Sequence, residues 1–298
     1  MAELTILTPS FNRKKELHVL FDSLCCQSDK DFEWVIVDDG STDGTFETAQ
    51  VFRAHADFPV RYYQKENGGK HTALNFALKR INTPLVFIVD SDDRLTENAV
   101  RIIHEKYRAY KHETDLCGFS FLRQRANGAG YLTKPLQKDN IKSTYCERLN
   151  HGLEGDMAEV WYTEKLRAFP FPEFKGEKFL GEDTVWVKLS GKYKIRFFNQ
   201  AVYISDYLNS GLTLNRRRHN IQSPNGCVAR AQAFLDSDVD FKHKIKAMLQ
   251  YFIYGRFAGR SQADLFKATQ YKKLALLCAV PAQFFFEIWK RKFKTVKK

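Results

Sequence analysis

Short apolar runs at residues 4–8, 34–37, 60–63 and 85–89 alternate with stretches of helical spacing, and this alternation constrains the fold more than any other feature. The first run ends at Pro9, the second at Asp38-Asp39-Gly40 and the fourth at Asp90. Between them Leu17, Leu20, Phe21 and Leu24 recur on one helical face, with Asn12 as the expected N-cap. Ala73, Leu74, Ala77, Leu78 and Ile81 form another such face, and Val100, Ile103 and Tyr107 a third, capped by Thr96. Short links between strands and helices predict an α/β protein with a mostly parallel sheet covered on both faces. Ligands of such sheets bind at the carboxyl ends of the strands. Pro9, Asp39 and Asp90 are therefore expected along one edge.

Beyond about residue 126 the pattern loosens. Residues 194–198 and 201–204 read as two strands, and 228–298 as mainly helical. The 298 residues suffice for one large domain or two merged halves. A net charge of +12 asks for an anionic partner: nucleic acid, phosphorylated ligands or an acidic membrane surface. Residues 275–289 are rich in Leu and Phe, interrupted by Pro281, and too short and mixed to span a bilayer. With the basic tail from Lys290 to Lys298 they read as an interfacial amphipathic segment or as a packed core helix. The six cysteines include no C-x-x-C pair, so reduced thiols are expected. The chain opens on a strand pattern, which predicts no signal peptide.

Five clusters can carry chemistry. Asp90-Ser91-Asp92-Asp93 closes a strand, and three carboxylates in four residues repel unless a cation or hydrogen-bond donors compensate. Their hard oxygens suit Mg2+ or Mn2+; a helix cap is the plainer alternative. Asp38-Asp39-Gly40-Ser41 offers acceptors for a base or ribose, or a turn. Asn67-Gly68-Gly69-Lys70 opens a helix whose amides and lysine favour a phosphate. Gly181-Glu182-Asp183 offers a general base or a cap. Arg216-Arg217-Arg218-His219, after Gly211-Leu212-Thr213, is either a solvated loop or a clamp on a diphosphate, with His219 as a further metal ligand.

Taken together, Thr8-Pro9-Ser10-Phe11-Asn12, the stretch from Val37 to Gly44, Asn67-Gly68-Gly69, the Asp90 cluster and Gly181-Glu182-Asp183 resemble the family 2 glycosyltransferases in order and spacing. The resemblance covers residues 3 to about 122 strongly and thins towards 215. It implies a GT-A (Rossmann-like) fold of residues 1–225, with a nucleotide-sugar half at 1–125, an acceptor half at 126–225, and a helical extension at 226–298. It implies Asp39 as the base contact flanked by Pro9 and Phe11, and Asn67 and Lys70 as pocket lining. Asp90 would contact the ribose beside Ser91 and Asp93, and Asp92 would hold Mn2+ or Mg2+ as the D-x-D ligand. Arg216 and Arg218 would bind the nucleotide sugar. Asp183, with Glu182 beside it, would be the base of an inverting transfer. The implied donor is a UDP-sugar, and the acceptor a saccharide or lipid-linked saccharide of a surface polysaccharide. The expected place is the cytoplasmic face of an anionic membrane, and a homo-oligomer stays open.

A sugar-phosphate nucleotidyltransferase would need a glycine-rich loop where Pro9-Ser10-Phe11-Asn12 stand. A basic nucleic-acid-binding protein fits the charge, yet no zinc finger, basic zipper or RNA-recognition signature is present, so no nucleic acid is expected. An inactive sugar-binding module is disfavoured by the intact aspartates.

Overall fold

A computed structural model of the chain describes residues 2–151, 153, 155–205 and 216–293. The alternation appears as β1 (Leu4–Ser10), α1 (Glu16–Cys25), β2 (Phe32–Asp38), α2 (Thr45–His55), β3 (Val60–Gln64), α3 (Lys70–Leu78) and β4 (Leu85–Ile88). Then come β5 (Arg94–Leu95), α4 (Ala99–Tyr110), β6 (Leu116–Arg125), β7 (Ile141–Ser143), α5 (Tyr145–Asn150), β8 (Met157–Tyr162) and α6 (Thr163–Arg167). The chain continues through α7 (Asp183–Leu189), β9 (Lys194–Ser205), α8 (Arg216–Gln222), α9 (Pro224–Asp236), α10 (Phe241–Phe257), α11 (Gln262–Ala268) and α12 (Lys272–Lys292). It divides into two compact units, Met1–Pro170 with Lys192–Asp206, and Phe171–Gly191 with Tyr207–Lys298.

The first unit holds a nine-stranded sheet in the order β3-β2-β1-β4-β8-β6-β9-β5, with β7 beside β9. β3, β2, β1 and β4 are parallel, as their helical crossovers require. β8 enters antiparallel to both β4 and β6, so the sheet as a whole is mixed. Leu4, Ile6, Trp34, Ile36, Leu85 and Phe87 are fully buried, which is why apolar residues dominate these strands. The Trp34 indole N–H donates to Thr8 Oγ1 at 3.0 Å, so its one polar atom costs nothing in the core.

Local details depart from the sequence expectations. Asn12 does not cap α1, which starts four residues later. It sits at φ 52°, its N–H donates to Ser41 Oγ, and its Oδ1 accepts from the Thr42 N–H. Asn12 thus ties two strand-end loops together. Thr96 gives α4 no side-chain cap; its carbonyl accepts from Ala99 N–H, and Asn98 is the N-cap. The two strands expected between 194 and 204 are one strand, β9, whose polar Asn199 bonds to Leu136 and Asp139 where the β6 register shifts.

In the second unit α10 packs between α9 and α12, and α7 lies against α9. Pro281 does not interrupt α12. Phe286 packs edge-on to Phe257 and Trp289 lies near Tyr254, so contacts beyond the proline hold the helix across it. Ala275, Cys278, Ala282 and Phe286 form the buried face, while Leu276, Val280 and Phe284 are 65–76% exposed. Among the described residues no helix is long and apolar enough to cross a membrane. All six cysteines are free thiols. Gly211-Leu212-Thr213 and the tail from Lys294 to Lys298 lie outside the described residues.

Candidate active site

The parallel strands of the first unit bring their carboxyl ends to one edge. Ser10 pairs with Asp38, and the Asp39 N–H donates to the Ser10 carbonyl at 2.8 Å. The buried Asp39 carboxylate accepts the N–H groups of Gly68 and Gly69, at 2.9 and 2.6 Å, and Lys65 Nζ at 2.7 Å. The amides expected to meet a phosphate therefore hold Asp39. Gly69 reaches it from φ 94°, a conformation that favours glycine. Gly40, at φ 85°, lets the Asn67 backbone approach, since an added Cβ would lie 3.1 Å from its nitrogen. Asp38 is occupied by the Ser41 N–H and the Tyr62 hydroxyl.

β4 delivers the next carboxylates. Asp90 forms a close ion pair with Lys70, the first residue of α3. Burial opposes its charge, but Lys70 and Arg123 outweigh that and hold the carboxyl below its ordinary range. Tyr203 on β9 bridges the turn: its oxygen accepts the Asp90 N–H at 3.0 Å and its O–H donates to Asp93 Oδ2 at 2.7 Å. The Arg123 guanidinium lies 4.2 Å from the centre of the Tyr203 ring. Burial first, and then the Asp90 charge, push Asp93 up to about 7. The same two causes raise Asp92, whose nearest basic group among the ion pairs is Arg13 Nη2 at 4.0 Å.

Lys70 thus holds Asp90 and the Tyr203 hydroxyl holds Asp93, while Asp92 has only Arg13 at 4.0 Å as a side-chain partner among the described residues. The D-x-D reading implies a divalent cation there, and these residues fit one. A hard carboxylate oxygen wants positive charge, and Mg2+ or Mn2+ commonly takes one or two carboxylates and completes its shell with water and substrate phosphates. Among the described residues Asp92 belongs to no closed group of three ligands. Of the other first-unit candidates, Pro9 and Ser91 are buried, Asn67 is half-buried, and the Phe11 ring is 48% exposed.

The second unit carries the remaining candidates. Asp183 opens α7 and is gripped by Arg230 of α9 through two hydrogen bonds, one from Nε at 2.7 Å. Burial disfavours its charge, yet Arg230 holds the carboxyl below its ordinary range. Glu182 is the N-cap residue but makes no side-chain cap bond. Arg216, Arg217, Arg218, Arg230 and Lys246 line a cavity of about 710 Å³ whose wall, among the described residues, holds no acidic side chain. Arg217 lies over the Trp289 ring. His219 stacks on Phe179, and burial, then Arg218, lower its pKa.

Sequence reading overlooked Arg13, Lys65, Arg123, Tyr203 and Arg230. Tyr203 and Arg123 are partners in the β6–β9 register, and Arg230 meets Asp183 across 47 residues. No local pattern marks such pairs.

Residues 5–148 match the family described as Glycosyl transferase family 2, a stretch that contains Asp39, the Gly68-Gly69 turn and the Asp90 cluster. This stretch belongs to glycosyl transferase family 2. GlyA, a glycosyltransferase of Streptococcus pneumoniae serotype 4, is 32% identical over 215 residues, which make up 72% of this chain and 28% of GlyA. A Campylobacter jejuni protein, GalNAc(5)-diNAcBac-PP-undecaprenol beta-1,3-glucosyltransferase, is 24% identical over 293 residues, 95% of this chain and 91% of its own. The chain spans only 62%, 28% and 18% of the first curated relatives it matches. The crystal structure of Staphylococcus aureus TarS 1-349 in complex with UDP-GlcNAc matches with a TM-score of 0.61 at 20% identity, covering 94% of this chain and 79% of that one. The family 2 domain therefore has the GT-A fold, followed by a helical C-terminal region.

Proposed function

We propose that the chain transfers a sugar from a UDP-sugar to a hydroxyl of a saccharide or lipid-linked saccharide acceptor, with inversion and with Mn2+ or Mg2+. The observation that carries the proposal is Asp92 at the carboxyl edge of a family 2 domain, raised by burial and the Asp90 charge and reached only by Arg13 at 4.0 Å, while Lys70 holds Asp90 and the Tyr203 hydroxyl holds Asp93. Asp39, held by three donors, takes the base between Pro9 and Phe11, with Asn67 and Lys70 lining the pocket. Asp90, fixed by Lys70, takes the ribose, with Ser91 and Asp93 shaping the turn. Bound at Asp92, the cation supplies charge that stabilises the leaving diphosphate. Arg216 and Arg218, in a cavity wall shared with Arg217, Arg230 and Lys246, take phosphate oxygens. Asp183 is ionised, and Arg230 orients it to receive the acceptor proton, with Glu182 beside it. We assign no metal to His219, whose ring stacks on Phe179 beside a row of arginines.

The acceptor class is supported by the Campylobacter jejuni relative, whose name specifies an undecaprenol-linked substrate, and by TarS, named as a poly(ribitol-phosphate) beta-N-acetylglucosaminyltransferase. The exposed apolar stripe of α12, ending in Lys290, Arg291 and Lys292, suits the surface of an anionic membrane. The test is a donor screen for slow hydrolysis. UDP release is expected to require Mn2+ or Mg2+ and to vanish in Asp92→Ala. Release that persists in EDTA, or in that variant, rejects the proposal.

A further inference from the structure

The opposite edge of the same sheet holds an arrangement that sugar transfer does not use. Glu3 immediately precedes β1 and Asp31 immediately precedes β2. Leu4 pairs with Phe32 in parallel register, so these two carboxylates stand side by side at the amino ends of neighbouring strands. His104 of α4 completes the group. One ligand atom from each of the three lies within 4.8 Å of the others.

The histidine is 1% exposed. Its Nδ1 is committed to Asp29 Oδ2 at 2.8 Å. Its Nε2 is buried and makes no hydrogen bond, and neither does the buried Glu3 Oε2. Arg108, whose side chain is 62% exposed, comes only to 3.8 Å from that oxygen. A buried polar atom left unbonded is costly, forfeiting about 1–3 kcal/mol of hydration. A ligand that both can bind removes that cost.

We propose that Glu3, Asp31 and His104 Nε2 form a structural site for Zn2+. The donor set suits the ion: one imidazole nitrogen and two carboxylate oxygens, with water completing a tetrahedron. Asp29 on Nδ1 supplies the partner that fixes the tautomer leaving Nε2 free to ligate. The ligands come from the entries to β1 and β2 and from α4, so the ion staples three elements at the base of the sheet. The site lies at the strand ends opposite the aspartate cluster and does not depend on the sugar-transfer reading.

The full chain, stripped with EDTA and dialysed, is titrated with ZnCl2 against a chromophoric chelator, and its melting temperature is followed in parallel. One equivalent of tightly bound Zn2+ and a rise in melting temperature are expected. Glu3→Gln and His104→Gln are each expected to weaken binding at least tenfold and to abolish the rise, while Asp92→Ala leaves both intact. Glu3→Gln, at a half-exposed position, keeps the test open if His104→Gln does not fold. Co2+ substituted for Zn2+ is expected to show d–d bands without thiolate charge transfer. Absence of binding in the wild type, unchanged binding in Glu3→Gln, or a thiolate band that places the metal on Cys25 and Cys26, overturns the proposal.

Discussion

Asp90 and Asp93 lie in one turn, yet their carboxyls are pushed in opposite directions. Lys70 sits on Asp90 and favours its charge; Asp93 gains only a tyrosine hydroxyl and a distant arginine, and it faces the Asp90 charge. The Asp93 pKa in the folded chain is about 7, against an ordinary 3.8. Between these values the native state binds more protons than the unfolded one, so stability falls as pH rises through the window and levels off above it. In EDTA, the melting temperature of the wild type is expected to drop relative to Asp93→Asn from about pH 4 to about pH 7. Parallel curves would show that Asp93 does not titrate there. Asp183 poses a different question, because Arg230 both orients it and weakens it as a base. Asp183→Asn is expected to keep donor binding and to lose transfer by about a hundred- to ten-thousand-fold. Transfer at the wild-type rate would remove Asp183 from the proton path.

At the scale of the element, α12 answers to two solvents at once. Its inward face packs on α10, and Phe286→Ala is a core truncation of about 3 kcal/mol or more. Its outward face presents Leu276, Val280 and Phe284 to solvent, followed by a basic last turn. Replacing these three with serine is expected to change the melting temperature little, since exposed substitutions stay within about 0.5 kcal/mol. Sedimentation with phosphatidylserine vesicles is expected to fall more than tenfold, each inserted side chain contributing about 1.5 kcal/mol or more. Equal sedimentation would show that this face does not meet lipid.

Across the whole molecule, the information readable in the chain is of two kinds. Periodicity and strand-end punctuation determined that the first four strands run parallel and that Asp39 and Asp90 share one edge, because apolar strands joined by helical crossovers must run in one direction; their order is a matter of the tertiary structure. The composition of the carboxylate cluster likewise announced a need for positive charge. Tertiary structure alone decided which partner each carboxylate meets: Lys70 for Asp90, the Tyr203 hydroxyl for Asp93, Arg230 for Asp183, and only Arg13 at 4.0 Å for Asp92. It also turned the Gly68 and Gly69 amides onto Asp39, joined two strand patterns into β9, and carried α12 through Pro281. These outcomes rest on partners 20 to 110 residues away in the chain, and a local pattern holds no record of which distant group will arrive.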